Sequence, residues 1–227
     1  FRAHDAWPAY NSIVGAGRNA CVLHYRANTA QARDGDLVLI DAGAEYRGYA
    51  ADITRTFPVN GRFTPAQRAL HDLVGAAQRA ALDCARVGVP YEAGHVAAVE
   101  TLTEGLLKLG LLKGKLEKNL AEGTYRRFYR HKTGHWLGLD VHDVGDYRID
   151  GESRLLEPGM AFTIEPGLYF REDDLLIPPE YRGIGIRIED DVLMTEDGPE
   201  WISAGIPKQI DDVEAWMADM AAEGVQD

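Results

Sequence analysis

The chain has 227 residues, 45% of them hydrophobic and 26% charged, enough to bury a core as one large domain or two small ones. Its net charge of −12 argues against a nucleic-acid or anionic-membrane partner. No apolar run approaches the roughly 18 residues that span a bilayer, no signal peptide is expected, and two cysteines, Cys21 and Cys84, make no disulfide framework, so a reducing cytoplasm is the expected compartment.

Residues 10–60 predict strands and turns. Ser12–Val14, Ala20–His24 and Asp36–Asp41 are short apolar runs, separated by Gly15-Ala-Gly17, Arg26–Thr29 and Asp34-Gly35. Glu45–Phe57 carries Tyr46, Tyr49, Ile53, Thr54, Thr56 and Phe57, which favour a strand, and Pro58 with Asn60-Gly61 ends it. Thr64-Pro65 is a helix cap followed by proline at the first helical position. Leu70, Leu73, Val74, Ala77, Ala81 and Cys84 continue as an apolar stripe, and Gly88 is a stop signal. From Tyr91 to about Leu112 the pattern repeats with Val96, Val99, Leu102, Leu106 and Leu109. Both stripes are expected to pack on a sheet. Residues 113–132 hold seven Lys or Arg against two Glu, which reads as a solvated connection, with an anion or peptide C-terminus site as the alternative. Strands follow at Met160–Pro166, Leu168–Phe170 and Gly183–Met194, with Pro178-Pro179 in a loop between them. A final amphipathic helix, from about Asp212 to Ala222, puts Val213, Trp216, Met217 and Met220 on one face.

Before those strands comes the stretch on which the chain is organised, His131-Lys-Thr-Gly-His135-Trp-Leu-Gly-Leu-Asp-Val-His142-Asp-Val-Gly145. Three of the seven histidines fall within twelve residues, interleaved with Trp136, Leu137, Leu139 and Val141. His135 and His142 differ by an odd number, so the three cannot share one face of a strand. The stretch must bend, and Gly134 and Gly138 permit it. Any one of these histidines alone reads equally well as a hydrogen-bonded structural residue; three together suggest a lined cleft.

Two segments echo each other. Gly35-Asp-Leu-Val-Leu-Ile40-Asp41-Ala-Gly43 runs parallel to Gly159-Met-Ala-Phe-Thr-Ile164-Glu165-Pro-Gly167, each with an apolar run, an acid and a closing glycine. A second acid-bearing strand is expected after each, with Asp52 in the first and Glu189 in the second. This is one β-unit used twice, with the helical pair between the copies. Buried carboxylates are costly unless paired or bound to metal. Asp41 and Asp52 are expected to face each other across adjacent strands, and Glu165 and Glu189 likewise. With His135 they make a hard, oxygen-rich set that suits Mn²⁺ better than a thiolate zinc site. Two such ions would neutralise four converging carboxylates and hold a bridging water for hydrolysis. Turn acids and surface salt bridges are the bland alternative.

Asp36-Leu-Val-Leu-Ile-Asp41-Ala-Gly-Ala-Glu-Tyr46, Ala51-Asp52-Ile-Thr-Arg-Thr-Phe57, Gly134-His135-Trp-Leu-Gly-Leu-Asp-Val-His142-Asp-Val-Gly145, Glu157-Pro-Gly-Met160, Glu165-Pro-Gly-Leu-Tyr169 and Arg182-Gly-Ile-Gly-Ile-Arg187-Ile-Glu189-Asp-Asp191 together resemble aminopeptidase P, the Xaa-Pro aminopeptidase of bacterial type. Prolidase and methionine aminopeptidase share its fold. The resemblance runs from about Tyr10 to about Ser203. It implies an α+β pita-bread fold of two pseudo-symmetric halves with a curved antiparallel sheet covered by helices, consistent with the echo. It implies a metal set of Asp41, Asp52, His135, Glu165 and Glu189. In that scheme Asp41, Asp52 and Glu189 hold one ion, and Asp41, His135, Glu165 and Glu189 the other. His24, His142 and Glu165 match catalytic positions, and His131, Tyr169 and Arg187 match residues around the proline pocket.

Residues 1–227 then read as one catalytic domain, without the family's N-terminal domain and with its opening helices absent or mostly absent. Because the chain starts at Phe1 rather than Met, the natural protein is expected to be longer and to self-associate as a homo-oligomer. Lys132-Thr133-Gly134 departs from the family's usual Gly and Ser before the ligand histidine. The implied reaction is hydrolysis of the bond between an N-terminal residue and a following proline by a hydroxide bridging two ions, with Glu165 taking the water proton and His24 and His142 serving the oxyanion or the substrate backbone. Prolidase, which cleaves only dipeptides, is the alternative enzyme; a metal-free pita-bread module that binds a peptide or protein is the alternative of another class.

Overall fold

The computed structural model describes residues 1–223. The first half supplies β1 (Trp7–Pro8), β2 (Ile13–Ala16), β3 (Leu37–Asp41), β4 (Ala44–Tyr46), β5 (Tyr49–Ala50) and β6 (Thr54–Pro58). Helices α1 (Pro65–Cys84), α2 (Glu92–Lys108) and α3 (Leu116–Glu122) come next. The second half supplies β7 (Arg148–Ile149), β8 (Glu152–Ser153), β9 (Ala161–Ile164), β10 (Gly167–Tyr169), β11 (Gly185–Arg187), β12 (Asp190–Thr195) and β13 (Gly198–Trp201), and α4 (Ile210–Glu223) follows. All ladders are antiparallel, giving a mixed α+β architecture.

Two three-stranded sheets carry the echoed units, one ordered β2-β3-β6 and the other β13-β12-β9. In the first, the middle strand β3 is buried on both faces, so Leu37, Val38 and Leu39 form a continuous apolar run; in the second, Phe162 and Ile164 of β9 and Val192 and Met194 of β12 are buried. A seam of side chains and backbone joins the halves. The Glu189 N–H donates to the Thr54 carbonyl at 3.1 Å, and the Thr56 hydroxyl donates to the Arg187 carbonyl at 3.0 Å.

α1 begins with a capping box in which the Thr64 hydroxyl accepts from the Gln67 N–H and the Gln67 side chain accepts from the Thr64 N–H. Its stripe of Leu70, Val74, Ala77 and Ala81 is buried, and each large apolar side chain there contributes roughly 1.5–3 kcal/mol of transfer free energy. α2 packs along α1 through Ala98, Val99, Leu102 and Leu106, but Val96 is turned to solvent. His71 also lies in the core, beside the Phe63 ring, and burial pushes its imidazole down to about 4. A histidine depressed in this way binds its proton more readily when unfolded, so its contribution is complete above about 6.5 and is lost as pH falls toward 4. Over that window the wild type should lose about 3 kcal/mol relative to His71→Gln. Paired urea melts from pH 7 to 4 check this, and parallel curves for the two proteins would refute it.

Four expectations change. Glu45–Phe57 is not one strand but is divided among β4, β5 and β6, with β4 and β5 folded back on each other as a hairpin. Ala20–His24 is not a strand: Gly17, at φ 54°, opens a 3₁₀ turn over Gly17–Cys21 that packs under β11. Residues 113–132 are not a solvated connection, because α3 and a further 3₁₀ turn occupy them and Phe128 and Tyr129 are buried. Phe128 stacks on Phe170 at 4.7 Å, while Arg127 pairs with Asp174. In α4, Ile210, Val213 and Glu214 face inward and Trp216 and Met220 are about half exposed. The helix is tethered through the Glu214 carboxylate, which accepts the Phe63 N–H at 3.0 Å and pairs with Arg62 and Arg68. Among the described residues no helix is long and apolar enough to cross a membrane.

Candidate metal centre

Each half ends two chain segments at one place. Asp41 is the last residue of β3 and Asp52 lies in the break before β6, while Glu165 directly follows β9 and Glu189 directly precedes β12. The β9–β12 register pairs Ile164 with Asp190, so Glu165 and Glu189 continue it face to face. In the first half Asp41 pairs with Thr54, so Asp52 sits beyond the facing position rather than opposite Asp41. Tyr10 closes that gap: its hydroxyl lies 2.5 Å from an oxygen of each acid.

His135 projects between the acids. Its Nε2 is 3.2 Å from Asp52 Oδ2, 3.8 Å from Glu165 Oε1 and 4.0 Å from Glu189 Oε1. Its Nδ1 lies 3.0 Å from the Trp136 carbonyl, a bond that as a donor fixes the tautomer and leaves Nε2 free as a ligand. Ligand atoms within 4.8 Å of one another fall into overlapping groups: Asp41, Asp52 and Glu189; His135, Glu165 and Glu189; and Asp52, His135 and His142. Of the acids near His135, Asp52 comes nearest, ahead of Glu165 and Glu189. Among the described residues no such group joins Asp41 to His135, and Arg187 Nη2 donates to Asp41 Oδ2 at 2.5 Å.

The charges fit a divalent pair. Burial pushes Glu165 up to about 7 and Glu189 well above the carboxylate range, and it raises Asp41, with Arg187 acting against it in all three. Burial alone would lower His135, but the bond to Asp52 and the charge of Glu165 outweigh it and leave it raised. Four acids held against their preference for water, with one imidazole and no thiol among them, form a donor set for hard cations.

The bend through 131–145 arises differently from the expectation. Neither Gly134 nor Gly138 is among the glycines with positive φ. Both are places of close approach: a Cβ on Gly134 would stand 2.0 Å from the Thr163 carbonyl oxygen, and one on Gly138 1.9 Å from Asp143 Oδ2. The backbone of His135 is thereby seated on β9, donating to Thr163 Oγ1 at 3.2 Å and accepting the Thr163 N–H at 2.9 Å. The departure at Lys132-Thr133 is absorbed by bonding. Buried Thr133 Oγ1 lies 2.6 Å from Tyr129 Oη and 2.8 Å from His95 Nδ1, and the Thr133 carbonyl accepts the Glu165 N–H at 2.8 Å.

A cavity of about 690 Å³ opens on the cluster, and His24, His131, His135, His142, Glu165 and Arg187 line it with the other three acids. His24 stands in the turn after Gly17–Cys21, and exposed His142 packs edge-on to His135 at 4.3 Å. Burial and then the neighbouring His135 lower His142. Tyr169 is the exception among the expected pocket residues: it does not reach the cavity wall. It is buried behind the wall, 2.8 Å from His131 Nε2, and accepts from Arg187 Nη1 at 3.2 Å.

Tyr10, Thr54 and Asp191 were not singled out from sequence. Tyr10 bonds two of the acids, the Thr54 hydroxyl donates to Glu189 Oε2 at 2.6 Å, and Asp191 accepts the Asp52 N–H with both oxygens at 3.2 Å. Tyr10 lies in no periodic motif. Asp191 carried a signal, since Glu189-Asp190-Asp191 opens an apolar strand where three successive acids cannot all reach water.

The chain matches the model of metallopeptidase family M24 over residues 2–196. It is 52% identical over 218 residues to a Xaa-Pro aminopeptidase of Escherichia coli strain K12, covering 96% of this chain and 49% of that protein. The solved structure of Pseudomonas aeruginosa aminopeptidase PepP superposes with a TM-score of 0.94 at 53% identity, covering 95% of this chain and 49% of that one. A Zn-substituted E. coli aminopeptidase P in complex with product does so with a TM-score of 0.93 at 51% identity, covering 96% of this chain and 50% of that one. The chain spans about half the length of the relatives it matches. Its architecture is the pita-bread fold of those neighbours, and the chain belongs to metallopeptidase family M24.

Proposed function

We propose that residues 1–227 are the catalytic unit of a proline-specific metallo-aminopeptidase that hydrolyses the bond between an N-terminal residue and a following proline. The observation that carries this reading is the convergence of Asp41, Asp52, His135, Glu165 and Glu189, drawn from both halves, on one wall of a peptide-sized cavity. The Xaa-Pro aminopeptidases to which the chain is similar, and the zinc-substituted E. coli structure with product, support it. We assign two divalent ions to the cluster, Asp41, Asp52 and Glu189 holding one and Asp52, His135, Glu165 and Glu189 the other, with Mn²⁺ favoured by the oxygen-rich donors. Bound there, two ions would neutralise the acids and supply a water acidic enough to act as nucleophile near neutral pH.

The remaining work belongs to side chains. Glu165 would take a proton from the attacking water and return it to the leaving nitrogen. His142, packed beside His135, and His24 line the same cavity and would donate to the carbonyl oxygen as it gains charge. His131, pushed down to about 3 by burial and by Arg187, is neutral and offers its ring as an apolar wall to proline. Tyr169 holds that ring from behind. We place the protein in the cytoplasm on the ground of its two free cysteines, and as a homo-oligomer by the family resemblance.

Substrate length separates this reading from prolidase. A strict dipeptidase needs a cation for the carboxylate that follows proline. Arg187 is buried and committed to Asp41, Thr54 and Tyr169. Ala-Pro-Ala is therefore expected to be cut at least as fast as Ala-Pro, and Ala-Ala-Ala far more slowly, in kcat/KM under Mn²⁺. Cleavage of the dipeptide alone would move the assignment to prolidase. Equal rates on all three would mean that proline is not read, and peptide binding without metal uptake or turnover would favour a binding module.

A further inference from the structure

The acids rest on a polar layer that lies outside the cavity. Arg55, on β6, reaches into the second half and uses all of its N–H groups. Nε donates to the Pro207 carbonyl at 3.1 Å, Nη1 to the carbonyls of Thr54 at 2.9 Å and Glu189 at 2.6 Å, and Nη2 to Asp190 Oδ1 at 2.7 Å and the Ile206 carbonyl at 3.2 Å. Asp190, wholly buried, is equally saturated: Oδ1 also accepts Ser203 Oγ at 2.7 Å, and Oδ2 accepts Gln78 Nε2 at 2.9 Å and Lys208 Nζ at 2.7 Å. Gln78, buried on α1, shares the same amide with the carbonyls of Ile164 at 3.1 Å and Ile188 at 3.4 Å.

Those carbonyls belong to the peptide units beside the cluster. Ile164 precedes Glu165, Ile188 precedes Glu189, and Arg55 grips Glu189 itself. Arg55, Gln78 and Asp190 do not line the cavity. A buried charged network without access to substrate is an expensive way to hold a fold, since apolar residues of similar volume do as well or better. It does supply a rigid backbone setting, to which apolar packing is less suited.

We infer that Arg55, Gln78 and Asp190 are positioning residues that fix the Glu165 and Glu189 carboxylates against Asp41 and Asp52, and so set the spacing of the metal pair. The inference rests on reading those acids as ligands. Partners behind ligands of this kind are typically worth 10–100-fold in metal affinity. Lysine cannot replace Arg55, because its three donors have no fixed fork to serve five acceptors.

The test is calorimetric titration of Mn²⁺ into metal-stripped full-length protein, with melting temperature and steady-state kinetics recorded in parallel. Arg55→Lys and Gln78→Met are expected to bind at least one ion about 10–100-fold more weakly than wild type, with kcat falling more than KM rises. Lys208→Met is the control. Lys208 bonds the Asp190 carboxylate but none of the carbonyls beside Glu165 or Glu189, so it should lower the melting temperature and leave Mn²⁺ affinity within about twofold. Wild-type affinities in both Arg55→Lys and Gln78→Met overturn the inference, as does an equal loss in Lys208→Met. Failure of both positioning variants to fold, with Lys208→Met folded, also overturns it, because the network would then hold the fold rather than the ligands. Wild-type protein that takes up no Mn²⁺ would overturn the metal reading itself.

Discussion

Asp52→Ala is expected to lower kcat by about 10³-fold or more and to reduce bound Mn²⁺ from two equivalents to one or fewer. Like Glu189, Asp52 stands both near His135 and within the all-carboxylate group, so its loss strikes both proposed ion positions. A metal ion contributes several kcal/mol of charge stabilisation to a hydrolytic transition state. At about 1.4 kcal/mol for each tenfold in rate, that is roughly three orders of magnitude. The fold should survive. Tyr10 keeps its contact with Asp41, and removing one of four crowded acids relieves repulsion. Elemental analysis after dialysis against Mn²⁺, with kcat on Ala-Pro-Ala, reads both effects. Two full equivalents and unimpaired turnover would remove Asp52 from the centre.

His142→Ala should cost about 10²-fold in kcat, the scale of one oxyanion donor, with a smaller change in KM. The ring is exposed and accepts no burial role beyond its edge-on contact with His135. Melting temperature should therefore stay near wild type, since surface substitutions of this kind are usually within about 0.5 kcal/mol. Burial and the neighbouring His135 lower its pKa, and the neutral ring still carries one N–H for a developing oxyanion. Full kcat with Mn²⁺ retained would leave His142 without a part in the reaction. A matching loss of stability would make it structural.

The sheets and long helices were legible because their signals are local. The Thr64-Pro65 cap and the stripe from Leu70 to Ala81 state where α1 begins and which face it buries. The echo around Asp41 and Glu165 marked two acids at the ends of buried strands, and the structure brings both to one cluster. What escaped depends on distant partners. Ala20–His24 reads as a strand until β11 packs against it, and Phe128-Tyr129 reads as part of a basic connection until Phe170 is found beneath it. Tyr10 is 31 residues from Asp41 and 42 from Asp52, and nothing near it in the chain hints at either. Tyr169 shows the converse: a motif position names the residue, but only packing reveals that it stands behind His131 rather than on the cavity wall.

The wide spacing of the donors has a bearing on when the cluster forms. Thr54 and Glu189, joined at the seam, are 135 residues apart, and Asp41 and Arg187 are 146 apart. Contacts of such separation close late, after the local helices and hairpins have formed, because the entropy of the intervening loop must be overcome first. Neither half can assemble the centre alone. A nascent chain that has completed β3, β6 and α1 therefore holds Asp41 and Asp52 but not His135, Glu165 or Glu189. Under the proposed function, hydrolytic competence would arrive only with the last strands.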